Sequence, residues 1–217
     1  MQIRILNNCC FTISTPNTKI LIDPFIPKSL LNSLKYHYAL ISHGHIDHCL
    51  HLSSIKCPII GNPEVAKKTK DIVLNNRLNI DDLVIIPLRT NHPRWFQNNF
   101  LYDYTYSLIF NHTLMRCGDS WGFVFQNNGK TIYYSGDDLL ELNRLKIIRN
   151  TYCPDIALIA FQKLDLGCLN LLPPLKNKLL FQDILDCPVL PVHFTSIWYV
   201  KNKDCYLPYG VQVSGVE

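Results

Sequence analysis

The sequence predicts an α/β protein, and three observations carry that reading. Short β-branched and apolar runs alternate with segments of helical periodicity. Side chains able to bind a metal recur just after apolar runs, at His43, His92, Asp137 and His193. Two strand-rich halves follow one another, each finishing in strand–helix units, which is the layout of an internal duplication. No linker or low-complexity stretch interrupts the 217 residues, so one domain over 1–217 is expected.

Residues 2–6, 10–14 and 18–23 are short apolar runs separated by Asn-Asn and Pro-Asn-Thr, so they read as consecutive antiparallel strands. Pro24 ends the third and leaves Asp23 at a strand end, since proline cannot donate to a ladder. A short helix over 27–35, a buried strand over 38–42 and a helix over 47–55 follow. Asn62-Pro63-Glu64 opens a further helix that runs to about residue 70, with Asn as cap, Pro first and an acid in the first turn. Strands are expected over 83–88, 101–110, 121–126 and 131–135, the last two joined by a turn containing Asn128-Gly129. Gly136 then allows a tight turn that aims Asp137 from a strand end. Helical periodicity over 139–148 and 174–185 flanks strands at 155–161 and 188–194. The irregular apolar stretch 162–173 lies close to two site elements and is a candidate lid.

The chemistry centres on residues 40–51, which hold four of the eight histidines. Within them His43, His45, Asp47 and His48 sit where an apolar strand gives way to a helix, so the sheet fixes their positions. Imidazole nitrogens and a carboxylate oxygen suit a borderline divalent ion such as Zn²⁺, with Mn²⁺ a second ion that such donors accept. His43 and His45 are spaced to share one ion, and the adjacent Asp47 and His48 to serve another.

This His-x-His-x-Asp-His motif resembles that of the metallo-β-lactamase fold superfamily. The opening, Asn8-Cys-Cys-Phe-Thr-Ile and Lys19-Ile-Leu-Ile-Asp-Pro-Phe25, resembles the start of its lactonase-like branch, which includes the L-ascorbate-6-phosphate lactonases. The resemblance covers nearly the whole chain and implies an αββα sandwich. It also implies a ligand set in which His43, His45 and His92 hold one metal, Asp47, His48 and His193 the other, and Asp137 bridges them. His92 is preferred to His112, because it follows the strand expected over 83–88 in a setting that loosely matches the family's Pro-x-x-His pattern, whereas His112 follows Asn111 in an expected turn. Asp23 matches a position expected to orient a ligand from behind. The chain departs from the family at Asn7-Asn8, where Gly-His is common, and at Asp138, where Thr or Ser is usual.

Two ions holding a water favour its deprotonation, and the hydroxide would attack an electrophilic carbonyl or phosphorus, with Asp47 orienting it. The expected activity is therefore hydrolysis of a small anionic ester, a phosphodiester or a lactone. Arg94, two residues past His92, offers a planar fork for the anionic group. Nuclease or cyclic-nucleotide phosphodiesterase activity of the same fold is the alternative, and a metal-binding module without turnover is a third reading.

Composition sets the outer bounds. A hydrophobic content of 47% supplies a sizeable core, and a net charge of +4, from 21 basic and 17 acidic residues, falls short of a nucleic-acid-binding signature. Nine scattered cysteines without framework spacing predict reduced thiols. With no signal-peptide core and no transmembrane run, a cytoplasmic protein is expected.

Overall fold

A computed structural model describes residues 1–7, 9–69, 72–74, 76–92, 119–161, 173, 175–193 and 212–214, with backbone alone for 46, 67, 68 and 212–214. Arg94, His112, the strand expected over 101–110 and the 162–173 stretch apart from Pro173 lie outside them.

The three opening runs form β1 (Gln2–Asn7), β2 (Cys10–Ser14) and β3 (Lys19–Ile22), paired antiparallel. After helix α1 (Lys28–Ser33) the chain adds β4 (Tyr38–Ile41) parallel to β3. Helix α2 (Ile46–Cys49), strand β5 (Ile59–Gly61), helix α3 (Pro63–Thr69) and strand β6 (Ile72–Val73) extend this first sheet. Strands β7 (Leu78–Ile80), β8 (Leu83–Arg89), β9 (Trp121–Asn127) and β10 (Lys130–Tyr134) form an antiparallel meander. Helix α4 (Leu142–Tyr152), strand β11 (Ile156–Ala160), helix α5 (Lys178–Leu185) and strand β12 (Val189–Val192) complete the second sheet with parallel pairings. A final strand, β13 (Gln212–Ser214), runs parallel to β1 at the edge of the first sheet. Among the described residues the sheets therefore have seven and six strands.

Period-two alternation builds the layers. Phe123 and Phe125 of β9, Ile132 and Tyr134 of β10, and Leu158 of β11 pack with Ile3, Ile13, Ile20 and Leu40 of the first sheet in one buried cluster. The intervening Val124, Tyr133, Ala157 and Ile159 face the other way and pack with Leu145 and Ile148 of α4 and Phe181 and Leu185 of α5. Ala39 and Ile41 likewise pack outward with Val65 of α3, and Leu21 with Leu31 of α1. The result is the αββα sandwich.

Three expected elements differ in extent. The helix expected over 47–55 breaks after Cys49, because His51 takes a left-handed φ of 59° before a short 3₁₀ turn at Leu52–Ser54. The break lets Cys49, Leu52 and Ile55 all reach the outer face of β4 and β5. The helix expected over 139–148 starts at Leu142, since Leu140 is left-handed (φ 48°) and its N–H is held by the Asp138 carboxylate. The helix expected over 174–185 opens as a 3₁₀ turn, Leu175–Asn177, before α5. Asn62 caps α3 as expected, its Oδ1 accepting from Val65 N at 2.9 Å.

Every strand that leads to a candidate residue exits at the same end of the sandwich. β3 and β4 are parallel, β10, β11 and β12 are parallel, and β8 shares their direction because two antiparallel steps separate it from β10. Asp23, His43, His92, Asp137 and His193 follow the carboxyl ends of β3, β4, β8, β10 and β12. At that end the N–H of Trp121 donates to the carbonyl of Ser42 at 3.2 Å, joining the two sheets directly.

Gly136 makes the turn into Asp137 with a left-handed φ of 54°, and a Cβ there would collide with the carbonyl oxygen of Trp121. Gly136→Ala should lower the stability measured by urea unfolding by about 1–3 kcal/mol, from backbone strain and the clash together.

Candidate metal centre

The motif loop begins at buried Ser42 and turns its imidazoles inward through short local contacts. His43 Nδ1 lies 3.0 Å from Ser42 Oγ, which leaves Nε2 facing the cluster, 2.9 Å from His45 Nδ1. His48 Nδ1 lies 3.0 Å from Asp23 Oδ2. A carboxylate only accepts, so this nitrogen carries a proton and Nε2 is the nitrogen that faces the site, 3.3 Å from Asp137 Oδ2. Asp23 also accepts from Ser42 N at 2.7 Å and from the Tyr134 hydroxyl at 2.8 Å. It is wholly buried and has a left-handed φ of 43°, so it orients a candidate ligand instead of merely filling a turn.

The expected ligand residues converge. Donor atoms of His43, His45 and His92 lie within 4.8 Å of one another, as do those of His43, His48 and Asp137, and those of Asp47, His48 and His193. Asp137 Oδ2 is central: it lies 3.8 Å from His43 Nε2, 3.3 Å from His48 Nε2, 3.9 Å from His92 Nε2 and 3.7 Å from His193 Nε2. Asp47 Oδ2 lies 3.2 Å from His193 Nε2 and 3.6 Å from His48 Nε2. Neither aspartate caps a helix: α2 has His45 and α4 has Glu141 at the capping position, both without a side-chain cap bond.

The donor set fits a metal on structural grounds. His48 Nε2 and Asp137 Oδ1 are buried and accept no hydrogen bond, which is costly unless a cation takes those lone pairs. Burial, followed by His48, His45 and His92, keeps the His43 pKa well below its ordinary value, so that imidazole is neutral. Burial opposes charge on Asp137, yet His48, His193 and His92 outweigh it and hold the carboxyl below the usual range. The same balance, through His48 and His193, keeps Asp47 ionised. Against the effect of burial, Cys9 and the carboxylates around them hold the His48 and His193 imidazoles above their ordinary range, so a cation binding there displaces protons, whereas neutral His43 and the ionised carboxylates are already in the form that binds metal.

His37 and His51 stay outside this cluster. His37 Nδ1 accepts from Lys19 N at 3.3 Å, and His51 is the left-handed residue ahead of the 3₁₀ turn. The thiols near the motif are braces. Cys9 Sγ donates to the Asp47 carbonyl at 2.9 Å and Cys49 Sγ to the His45 carbonyl at 2.9 Å. Burial pushes the Cys9 thiol up to about 12, against the opposing pull of His48, so it is no thiolate nucleophile. Sequence reasoning did not assign Ser42 and Tyr134, whose shared partner Asp23 meets them only once β3 pairs with β4 and β10 of the other sheet packs against them.

A family model described as the beta-lactamase superfamily domain matches residues 2–163. The chain belongs to the beta-lactamase superfamily. Among curated relatives, a UPF0173 metal-dependent hydrolase of Methanospirillum hungatei is 25% identical over 209 residues, covering 93% of this chain and 86% of its own. Two solved structures show the fold of this superfamily member. Igni18, a metallo hydrolase of Ignicoccus hospitalis, matches with a TM-score of 0.68 at 18% identity, covering 99% of this chain and 94% of its own. The isothiocyanate hydrolase from Delia radicum gut bacteria matches with a TM-score of 0.64 at 20% identity, covering 100% and 95%.

The three bonds to Asp23 can be separated by experiment. Tyr134→Phe removes one donor and should cost about 1 kcal/mol in urea unfolding of metal-free protein. Asp23→Ala strands three buried donors and should cost about 3 kcal/mol or more.

Proposed function

We propose that the chain is a metal-dependent hydrolase that uses two divalent cations, zinc by default, on a small anionic ester. The observation that carries this reading is the Asp137 carboxylate, within 4 Å of imidazole nitrogens drawn from both histidine groups. His43, His45 and His92 would hold one cation, Asp47, His48 and His193 the other, and Asp137 would lie between them. Bound divalent cations supply a water that loses its proton near neutral pH and polarise the oxygen under attack.

The remaining roles fall to this chain's own side chains. Asp47 is a third exposed, so its Oδ2, beside His193, is placed to accept a hydrogen bond from an attacking water while still facing the opening. Asp23 holds His48 by Nδ1, so the ring cannot rotate away from the site. The protonated Cys9 leaves water as the nucleophile. The name shared by the curated relatives, metal-dependent hydrolase, supports the reaction class. Among the described residues no helix is long and apolar enough to cross a membrane. The anionic group is assigned to Arg94 on sequence grounds.

Metal-free protein titrated with Zn²⁺ should take up about two equivalents by elemental analysis, and His45→Ala should lose one of them. An unchanged stoichiometry in that variant would sink the assignment. Asp47→Asn should keep its circular dichroism but lose turnover by roughly 10²-fold or more, since an amide binds the cation more weakly and is a poorer hydrogen-bond acceptor. The substrate panel is a generic phosphodiester, a lactone and an isothiocyanate; turnover of the isothiocyanate alone would overturn the ester assignment and leave the metal reading intact. Arg94→Ala should retain both metals while weakening anionic substrates more than neutral ones.

A further inference from the structure

Asp138 follows the central carboxylate yet takes a different set of partners. It is wholly buried, and its Oδ2 lies 2.7 Å from Arg144 Nε in an ion pair that is off the hydrogen-bond line. Its Oδ1 accepts from Asn91 N at 3.1 Å and from Leu140 N at 3.2 Å. Arg144 in turn donates through Nη2 to the carbonyl of Arg89.

These contacts bear on His92. β8 ends at Arg89, and Thr90, Asn91 and His92 continue outside any strand. Each of the three residues before His92 nevertheless has one backbone group tied: the Arg89 carbonyl by Arg144, Thr90 N by the Ser120 carbonyl at 3.0 Å, and Asn91 N by Asp138. Two of the three ties come from the Asp138–Arg144 pair. The same Oδ1 holds Leu140, so one carboxylate fixes the spacing between the segment that carries His92 and the turn that carries Asp137. A buried ion pair contributes little net stability compared with apolar packing, but removing one partner disturbs whatever the pair holds in place.

We infer that Asp138, through Arg144 and the backbone of residues 89–91, is a positioning residue that sets His92 for cation binding, an inference that rests on the metal reading above. Asp138 would touch neither cation nor substrate. Its effect would fall chiefly on the cation position that uses His92, because His43, His45 and His48 are held by contacts on the first sheet and the turn into Asp137 keeps its own bond from Ser135 Oγ to the Gly136 carbonyl at 2.7 Å.

The test is competitive titration of metal-free protein with Zn²⁺ against a chromophoric chelator. Asp138→Ala should weaken one of the two equivalents by about 10–100-fold and leave the other unchanged. Asp138→Asn, which keeps an acceptor for Asn91 and Leu140, should recover most of that loss, and Arg144→Gln should weaken the same equivalent. Asp155→Ala is the control for a merely structural role. At the opposite end of β10 its carboxylate accepts from Thr131 N at 2.7 Å and Lys130 Nζ at 3.1 Å, so the variant should lose stability without losing zinc. Amide hydrogen exchange at Asn91 should quicken in Asp138→Ala and not in Asp155→Ala.

His92→Ala separates the two ways of failing. If it leaves both equivalents in place, the metal assignment of His92 falls and the positioning role with it. If it removes one equivalent while Asp138→Ala, Asp138→Asn and Arg144→Gln all bind both normally, the positioning role alone is overturned. Equal weakening of both equivalents, or the same loss in Asp155→Ala, would also overturn it by showing a general loss of structure.

Discussion

The buried carboxylate of Asp23 is the constraint on which the arrangement turns. Its two oxygens take donors from three elements: the backbone of Ser42 after β4, the His48 imidazole on α2 and the Tyr134 hydroxyl on β10. β10 belongs to the other sheet, so the group that fixes a candidate ligand also ties the two halves of the sandwich together. The geometry of the histidine cluster is thus a property of sheet packing and not of loop conformation alone. A strained backbone accompanies it: Asp23 and His193, at opposite sides of the cluster, both adopt left-handed φ without being glycine.

The site also separates groups by what burial does to them. Imidazoles and carboxylates are placed against one another, so each pair offsets the cost of losing water, and Asp47 and Asp137 stay ionised. At Cys9 and Cys10, next to the same loop, burial outweighs the opposing pulls of His48 and of the Phe25 backbone and holds both as thiols. Cys9 and Cys49 serve as weak donors to carbonyls of the loop. This division explains how a cysteine-rich neighbourhood can coexist with a cluster built from oxygen and nitrogen donors.

What the sequence disclosed follows the range of the interactions involved. The 43–48 motif and the Asn-Gly hairpin were legible because six or fewer adjacent residues carry each. The sandwich was legible in outline because residues such as Phe123, Phe125 and Tyr134 alternate strictly with outward neighbours. Strands β5 and β6, three and two residues long, were too short to show a period, and β13 exists through its pairing with β1. Asp138 read only as an added charge after Asp137. Its partners Asn91 and Arg144 meet it because β8 and β10 flank β9 and α4 folds back over them, which no local pattern encodes.

The pairing of β13 with β1 has a consequence for how the chain comes into being. Gln2 lies beside Gln212 and Arg4 beside Ser214, so the outer rim of β1 is matched by residues about 210 positions further along the chain. Until residues 212–214 are made that rim of β1 lacks this partner, and unpaired edges invite pairing with other chains. The polar and charged Gln2 and Arg4 on β1 are residues of the kind that discourage such contacts. A pairing between segments so far apart in sequence is a non-local contact of the kind that slows folding.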